Sequence, residues 1–212
     1  MTDHWVEWHA AYDRPGSSLA RRLEVVQHRI RQVLDGAAPG PFRVVSLCAG
    51  EGRDLLGVLD GHPRAADVTG RLVDADPRLV ATASARAAAG GIHGLEAITG
   101  DAADTTQYDG AVPADLVLVC GVFGNISDDD IARTVNHLPM LCAPGATVIW
   151  TRHRAAPDLT PEIRDWFADA GFEEVAFDSA ADAKFGVGTH RLRVDPEPYA
   201  PGVTLFRFLT PG

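Results

Sequence analysis

One segment constrains this chain more than any other. Arg43-Val44-Val45-Ser46-Leu47 is a short apolar run that stops at Cys48-Ala49-Gly50-Glu51-Gly52 and resumes as Arg53-Asp54-Leu55. An apolar strand that breaks into a small-residue turn and then enters a helix has few homes. Gly50 and Gly52 lack a Cβ, so the backbone there takes dihedrals closed to other residues and a ligand can approach the main chain. In open α/β sheets this element cradles nucleotide-like groups. Its amides and the helix N-terminus behind it favour polar and negative atoms. The same turn also suits close packing without a ligand.

The rest of the chain repeats the alternation. Apolar runs at 43–47, 68–73, 95–99, 115–119 and 146–151 read as strands, and 172–177 and 203–209 as two late ones. The 115–119 run is apolar after its first residue, as a sheet buried on both faces requires. Helices fall between them. Ser17 caps one whose stripe is Leu19, Leu23, Val26, Ile30 and Val33, with Gly36 at its end. Others cover 53–59, the Ala-rich 77–89, 127–138, and a helix capped by Thr160 with Pro161 in its first turn. The expected fold class is α/β: a doubly wound, Rossmann-like, mostly parallel seven-stranded sheet, with an antiparallel late strand because no helix separates the final pair.

Composition excludes several functions. The chain has 29 acidic against 19 basic residues and a net charge of −10, which repels phosphate backbones and argues against nucleic-acid partners. No run reaches membrane-spanning length, and Met1-Thr2-Asp3-His4-Trp5 lacks a basic-then-apolar leader, so the expectation is a cytoplasmic protein with no membrane partner. Cys48, Cys120 and Cys142 show no metal-ligand spacing and read as reduced and buried. His4, Glu7 and His9 lack the spacing of a helical zinc pair. Ser127-Asp128-Asp129-Asp130 reads as a helix start, not a metal cluster. No metal is expected.

Ligands of such sheets sit beyond the carboxyl ends of the strands, so candidate residues are those that follow each strand. After the first come Cys48, Ala49, Gly50 and Gly52. After the second come Asp74 and Ala75; Asp74 lies 24 positions beyond Gly50, where a carboxylate can accept both hydroxyls of a ribose. Asp76, ahead of Pro77, is assigned to a helix cap. After the third, Asp101 can accept an exocyclic amine and Ala102 can offer its amide. After the fourth, Cys120, Gly121, Phe123 and Asn125 form a small-residue wall. After the fifth comes Arg152-His153-Arg154: the arginines suit an acceptor carboxylate or phosphate and His153 can take a proton, although a strand end paired with nearby acids explains them equally well. Trp5, Trp8 and Tyr12 form either a lid or ordinary helix packing. His190 lies near Phe185-Gly186-Val187-Gly188, read as a loop that can cover an acceptor.

With these items in this order, residues 44–209 resemble the class I S-adenosylmethionine-dependent methyltransferases. Ser46-Leu47-Cys48-Ala49-Gly50-Glu51-Gly52-Arg53 is similar to the family's first motif, an acid followed by three alternating glycines. Gly50 and Gly52 match; Ser46 replaces the acid and Cys48 the first glycine. The family's acid helps fix the methionine ammonium, so main-chain carbonyls of this turn or of Cys120-Gly121 take that role by implication. The resemblance implies S-adenosyl-L-methionine as cofactor and in-line methyl transfer. It also implies a lid over residues 1–36 on a cofactor domain of 37–212. An Asn/Asp-Pro-Pro-aromatic motif is absent after the fourth strand, where Gly124-Asn125-Ile126-Ser127 stands, so a small-molecule acceptor is implied. Its expected contacts are Tyr12, Asn125, Arg152 and His190, with His153 as catalytic base. Two alternatives stand beside this. An NAD(P)-dependent oxidoreductase would share the ribose acid, but Leu55 stands where its fingerprint needs a third glycine. A non-catalytic cofactor-binding module would explain Ser46 and Cys48 as decay.

Overall fold

The computed structural model describes Tyr12, Arg14, residues 16–180 and residues 184–209. In chain order the elements are α1 (Ser18–Gly36), β1 (Phe42–Leu47), α2 (Arg53–Leu59), β2 (Val68–Asp74), α3 (Pro77–Ala89), β3 (Leu95–Thr99), β4 (Ala114–Val119), α4 (Asp128–His137), β5 (Cys142–His153), α5 (Thr160–Asp169), β6 (Phe172–Asp178) and β7 (Phe185–Leu192). The seven strands make one sheet in the order β3-β2-β1-β4-β5-β7-β6. Strands β1 to β5 pair in parallel, and β7 runs antiparallel between β5 and β6. Strand order reverses at β1, so the ends of β1 and β4 form the switch point where such sheets bind ligands.

Alternation along each strand sends neighbours to opposite layers. Val44, Leu72, Leu116, Leu118, Ile149 and Val187 pack under α1, α2 and α3. Val45, Leu47, Val117, Val119, Val148 and Trp150 pack under α4 and α5. Helix α1 is capped by Ser17, whose Oγ accepts the Ala20 N–H at 3.0 Å. Its stripe buries Val26, Ile30 and Leu34 in the same apolar cluster as β1 and α2. The Arg64 guanidinium donates to the carbonyls of Leu34, Ala37 and Gly40, fastening the end of α1 to the start of β1. Trp5 and Trp8 lie outside the described residues, and no described helix is long and apolar enough to cross a membrane.

Three expectations need correction. The last strand is 185–192, not 203–209, and Phe185-Gly186-Val187-Gly188 is its first half rather than a covering loop. Gly186 and Gly188 are there for aromatic neighbours: a Cβ on Gly188 would lie 2.2 Å from the Trp150 ring, and one on Gly186 2.6 Å from Phe177. Residues 203–209 instead form a strap. Leu205 N–H donates to Ala103 O, Leu209 N–H to Asn125 O and Arg207 N–H to the Asp130 carboxylate, while Leu205 and Phe206 are buried. The strap thereby ties together the loops that follow β3 and β4. Finally, Thr160 is the first residue of α5 rather than its cap: Leu159 holds the cap position without a side-chain cap, and the Asp158 Oδ1 just before it accepts the Thr160 N–H at 3.0 Å and the Thr160 hydroxyl at 2.7 Å.

His190 is therefore a core residue and not an acceptor contact. It is 1% exposed, pairs in register with Val148 in mid-strand, and stacks on Phe167 at 4.4 Å. Trp150 Nε1–H donates to its Nδ1 at 3.2 Å, which places the ring proton on Nε2. That nitrogen has no hydrogen-bond partner; Glu174 is 3.7 Å away. Burial pushes the His190 pKa down to about 4 against the opposing pull of Glu174. The unfolded ring titrates near ~6.5, so between the two values the unfolded state holds more protons. Stability is complete above about pH 6.5 and falls, by about 3 kcal/mol in all, as pH drops towards the folded value. In His190→Gln, which keeps an acceptor for Trp150, urea midpoints should fall less between about pH 7 and about pH 4.5 than in wild type. Equal slopes would contradict this account.

Candidate functional site

The turn after β1 has three residues in the left-handed region: Cys48 (φ 52°), Gly50 (φ 56°) and Gly52 (φ 65°). Gly52 N–H closes the turn on Ala49 O, and Ala49 N–H ties it to Val73 O at the end of β2, both at 2.9 Å. At Gly52 a side chain would also meet Leu56, 2.9 Å from a Cβ. Cys48 packs against the core, and burial with Asp74 and Asp101 nearby pushes its thiol pKa well up. It is a neutral thiol, not a nucleophile.

Asp74 locks this turn to β2. Its Oδ2 accepts the Gly50 N–H at 2.8 Å and its Oδ1 accepts the Asp76 N–H at 2.9 Å. Each oxygen keeps a lone pair for a further donor. Asp76 caps α3 by accepting the Arg78 N–H, and hydrogen bonds from Arg78 lower its pKa to about 2. Beside them Ala75 and Asp101 are exposed at the sheet edge. Asp101 Oδ1 accepts the Ala103 N–H at 3.0 Å. Ala102 is buried, and its carbonyl accepts the Tyr108 hydroxyl at 2.7 Å.

On the α1 side of the turn lies a group the sequence did not single out. Asp54, in the first turn of α2, is 9% exposed. Burial raises its pKa, opposed by its own and the Leu55 amides and by Arg22. Arg22 donates to the Tyr12 hydroxyl at 2.9 Å, and Arg53 lies over the Tyr12 ring at 5.7 Å. Tyr12 and Cys120 both feel the charges of Asp54 and Arg22, and burial raises both their pKa values. The available signal was an acid at the mouth of an otherwise apolar helix, a position commonly dismissed as a dipole partner.

The loop after β4 forms the other wall. Gly121 N–H donates to the Thr151 hydroxyl at 2.9 Å, and Asn125 Nδ2–H donates to Gly121 O at 2.8 Å. Phe123 points away: it is fully buried, 5.9 Å from Trp150 between ring centroids. Its side chain therefore cannot wall a cofactor; its carbonyl instead accepts a hydrogen bond from Arg152. Arg152 Nε is buried without a partner, and burial lowers its pKa. Arg154 is paired with Asp158 at 2.8 Å. His153 is exposed beside Gly124, where a Cβ would sit 3.3 Å from its ring. Burial and the neighbouring Arg152 lower its pKa below the usual 6.5, with Asp158 opposing. Nδ1 of His153 accepts the Ala155 N–H at 3.3 Å, a weak bond that puts the neutral ring's proton on Nε2.

No family model matches the sequence, and no curated protein matches it. Solved structures do. Magnesium protoporphyrin IX methyltransferase from Synechocystis PCC 6803 with bound SAM superposes with a TM-score of 0.70 at 16% identity, over 91% of this chain and 92% of that one. An O-methyltransferase family protein from Burkholderia thailandensis gives 0.64 at 20% identity, over 82% of this chain. This chain spans 55% of that protein's length. The cyclase SpnF gives 0.58 at 14% identity, with 81% of each chain covered.

The fold is that of the class I S-adenosylmethionine-dependent methyltransferases. Its sheet departs from the dinucleotide-binding order 3-2-1-4-5-6 by the antiparallel strand inserted before the last. SpnF shows that the fold alone does not fix the reaction. Within this fold, Cys48 to Gly52, Asp74, Ala75, Asp101, Cys120, Gly121, Asn125 and His153 all lie at or just beyond the carboxyl ends of β1 to β5. Among the described residues no group of three or more His, Cys, Asp or Glu side chains is placed to hold a metal.

Proposed function

We propose that this chain binds S-adenosylmethionine and transfers its methyl group to a small-molecule acceptor. The observation that carries the reading is Asp74. Its carboxylate is anchored by one amide from the glycine turn and one from the start of α3. This anchoring leaves acceptor capacity on both oxygens for the two hydroxyls of a ribose. The donor set fits the cofactor on a second count. Ser46, buried in β1, carries no charge, and Asp54 supplies a buried carboxylate one turn further on, suited to an ammonium group. Asp101 serves the adenine amine and Cys48, Ala49, Gly50 and Gly52 the main-chain contacts. Gly121 and Asn125 face the acceptor.

When bound, the sulfonium supplies an already activated methyl carbon. What remains for the chain is alignment of the acceptor and exclusion of water. Arg152, with an unpartnered buried Nε, suits an acceptor anion. His153 takes the acceptor's proton at Nδ1, giving up only the weak Ala155 contact. Its lowered pKa keeps it neutral at pH 7. Turnover should therefore fall on the acid side, through an apparent pKa below the usual 6.5. His153→Ala should lower kcat about a hundredfold, with adenosylhomocysteine affinity unchanged, and remove that acid limb. Unaltered turnover in His153→Ala removes His153 from the mechanism. The reading as a whole is tested by thermal shift: adenosylhomocysteine should raise Tm, and NADH should not.

A further inference from the structure

At the opposite edge of the sheet from the glycine turn lies a cleft of about 370 Å³. Its walls are the second half of α1, the segment leading into β1, the first residues of β5 and the last of β7. It shares no residue with the candidate cofactor site. The apolar part includes Val33, Ala37, Pro39, Pro41, Pro144 and Val175.

Two polar groups in the lining have nothing to bind. Thr189 is 3% exposed, and its hydroxyl is buried with no hydrogen-bond partner. An unpaired buried hydroxyl costs free energy in the empty state. Arg191, two residues on and on the same face of β7, makes no side-chain hydrogen bond or ion pair with the described residues. Its cross-strand neighbour Glu173 is engaged by Arg193. The other arginine of the lining is committed, and the lining's one carboxylate is held by a main-chain amide. Arg29 forks onto Asp178 at 2.6 Å and donates to Gln32. Asp115 Oδ2 accepts the Arg43 N–H at 2.7 Å. An incoming ligand thus meets one free cation, one buried hydroxyl donor and a proline- and alanine-rich wall.

We infer that this cleft is a second binding site, for a small organic monocarboxylate. The carboxylate is received by the Arg191 guanidinium and the Thr189 hydroxyl, and its apolar body lies on the proline wall. A carboxylate suits a planar guanidinium. A phosphate dianion would bring a second charge that the single free guanidinium leaves uncompensated, and its lack of an apolar body would waste the wall.

The experiment is a titration followed by thermal shift and calorimetry, with benzoate as the probe and benzamide and inorganic phosphate as comparators. Benzoate should bind wild type saturably. Arg191→Gln, at an exposed position, and Thr189→Val, near-isosteric, should each weaken it about tenfold. Circular dichroism melting of each variant without ligand verifies the fold. Benzamide and phosphate should bind at least about tenfold more weakly than benzoate. No binding of benzoate to wild type, or binding that survives both substitutions, overturns the proposal. So does binding of benzamide or phosphate as tight as benzoate. Adenosylhomocysteine binding should be unchanged in both variants, so failure here and failure of the methyltransferase reading are separate results.

Discussion

Asp74→Ala is expected to weaken adenosylhomocysteine binding by at least about a hundredfold and to abolish its thermal shift at concentrations that saturate wild type. The size follows from what the carboxylate does. It would lose two charge-assisted bonds to ligand hydroxyls, at about 1.5–3 kcal/mol each. It would also release the Gly50 and Asp76 amides that it now orders. The second loss acts on the protein without ligand and should cost about 1–2 kcal/mol of stability. The ligand-free melting curve therefore separates a damaged turn from a lost contact. Asp74→Asn should lie between, because an amide can accept one backbone N–H but presents a donor to the other. Wild-type affinity in Asp74→Ala would show that the ribose, if bound at all, is held elsewhere.

The second large effect is on folding. Gly188→Ala should destabilise the protein by about 3 kcal/mol, seen as a lower urea midpoint and a drop in Tm of about 10 °C. The added Cβ would sit 2.2 Å from Trp150 Cε2 and 2.5 Å from its Cζ2. The ring cannot retreat. Phe123, Phe167, Phe177 and His190 surround it at centroid distances of 5.9–6.0 Å, and its indole N–H is tied to His190. Pairing Gly188→Ala with Trp150→Leu in a double-mutant cycle should recover more than 1 kcal/mol, roughly, of the clash. A Gly188→Ala protein as stable as wild type would mean that β7 does not lie against this ring.

Gly188 also shows where sequence reasoning stops. Its two glycines made 185–188 look like a loop, because glycine in isolation signals a turn. The residue that decides otherwise, Trp150, is on another strand, and no local pattern connects them. The reverse error befell 203–209. Its apolar residues suggest a strand, yet its Leu205 and Phe206 are buried while its backbone bonds go to loops and side chains. By contrast, the elements with local signatures were legible: the turn at 48–52, the caps at Ser17, Asp76 and Ser127, and the strands buried on both faces. Around the candidate site, the placement of Asp74 and of the loop after β4 at the carboxyl ends of their strands was readable from position alone. Phe123 was misjudged because strand-end aromatics face either the ligand or the core with the same sequence. Asp54 was overlooked because its burial is a tertiary property, and the charge that acts on it, Arg22 of α1, stands more than thirty positions earlier in the chain.

A crystal structure of the chain grown with adenosylhomocysteine tests the central claim most directly. The account predicts the adenosyl group across the ends of β1 and β2, with both ribose hydroxyls on Asp74. It also places the amino group of the homocysteine towards Asp54 and the sulfur towards the loop of Gly121 to Asn125. Ligand density at any other place, or a site filled by side chains with the ligand excluded, would contradict it.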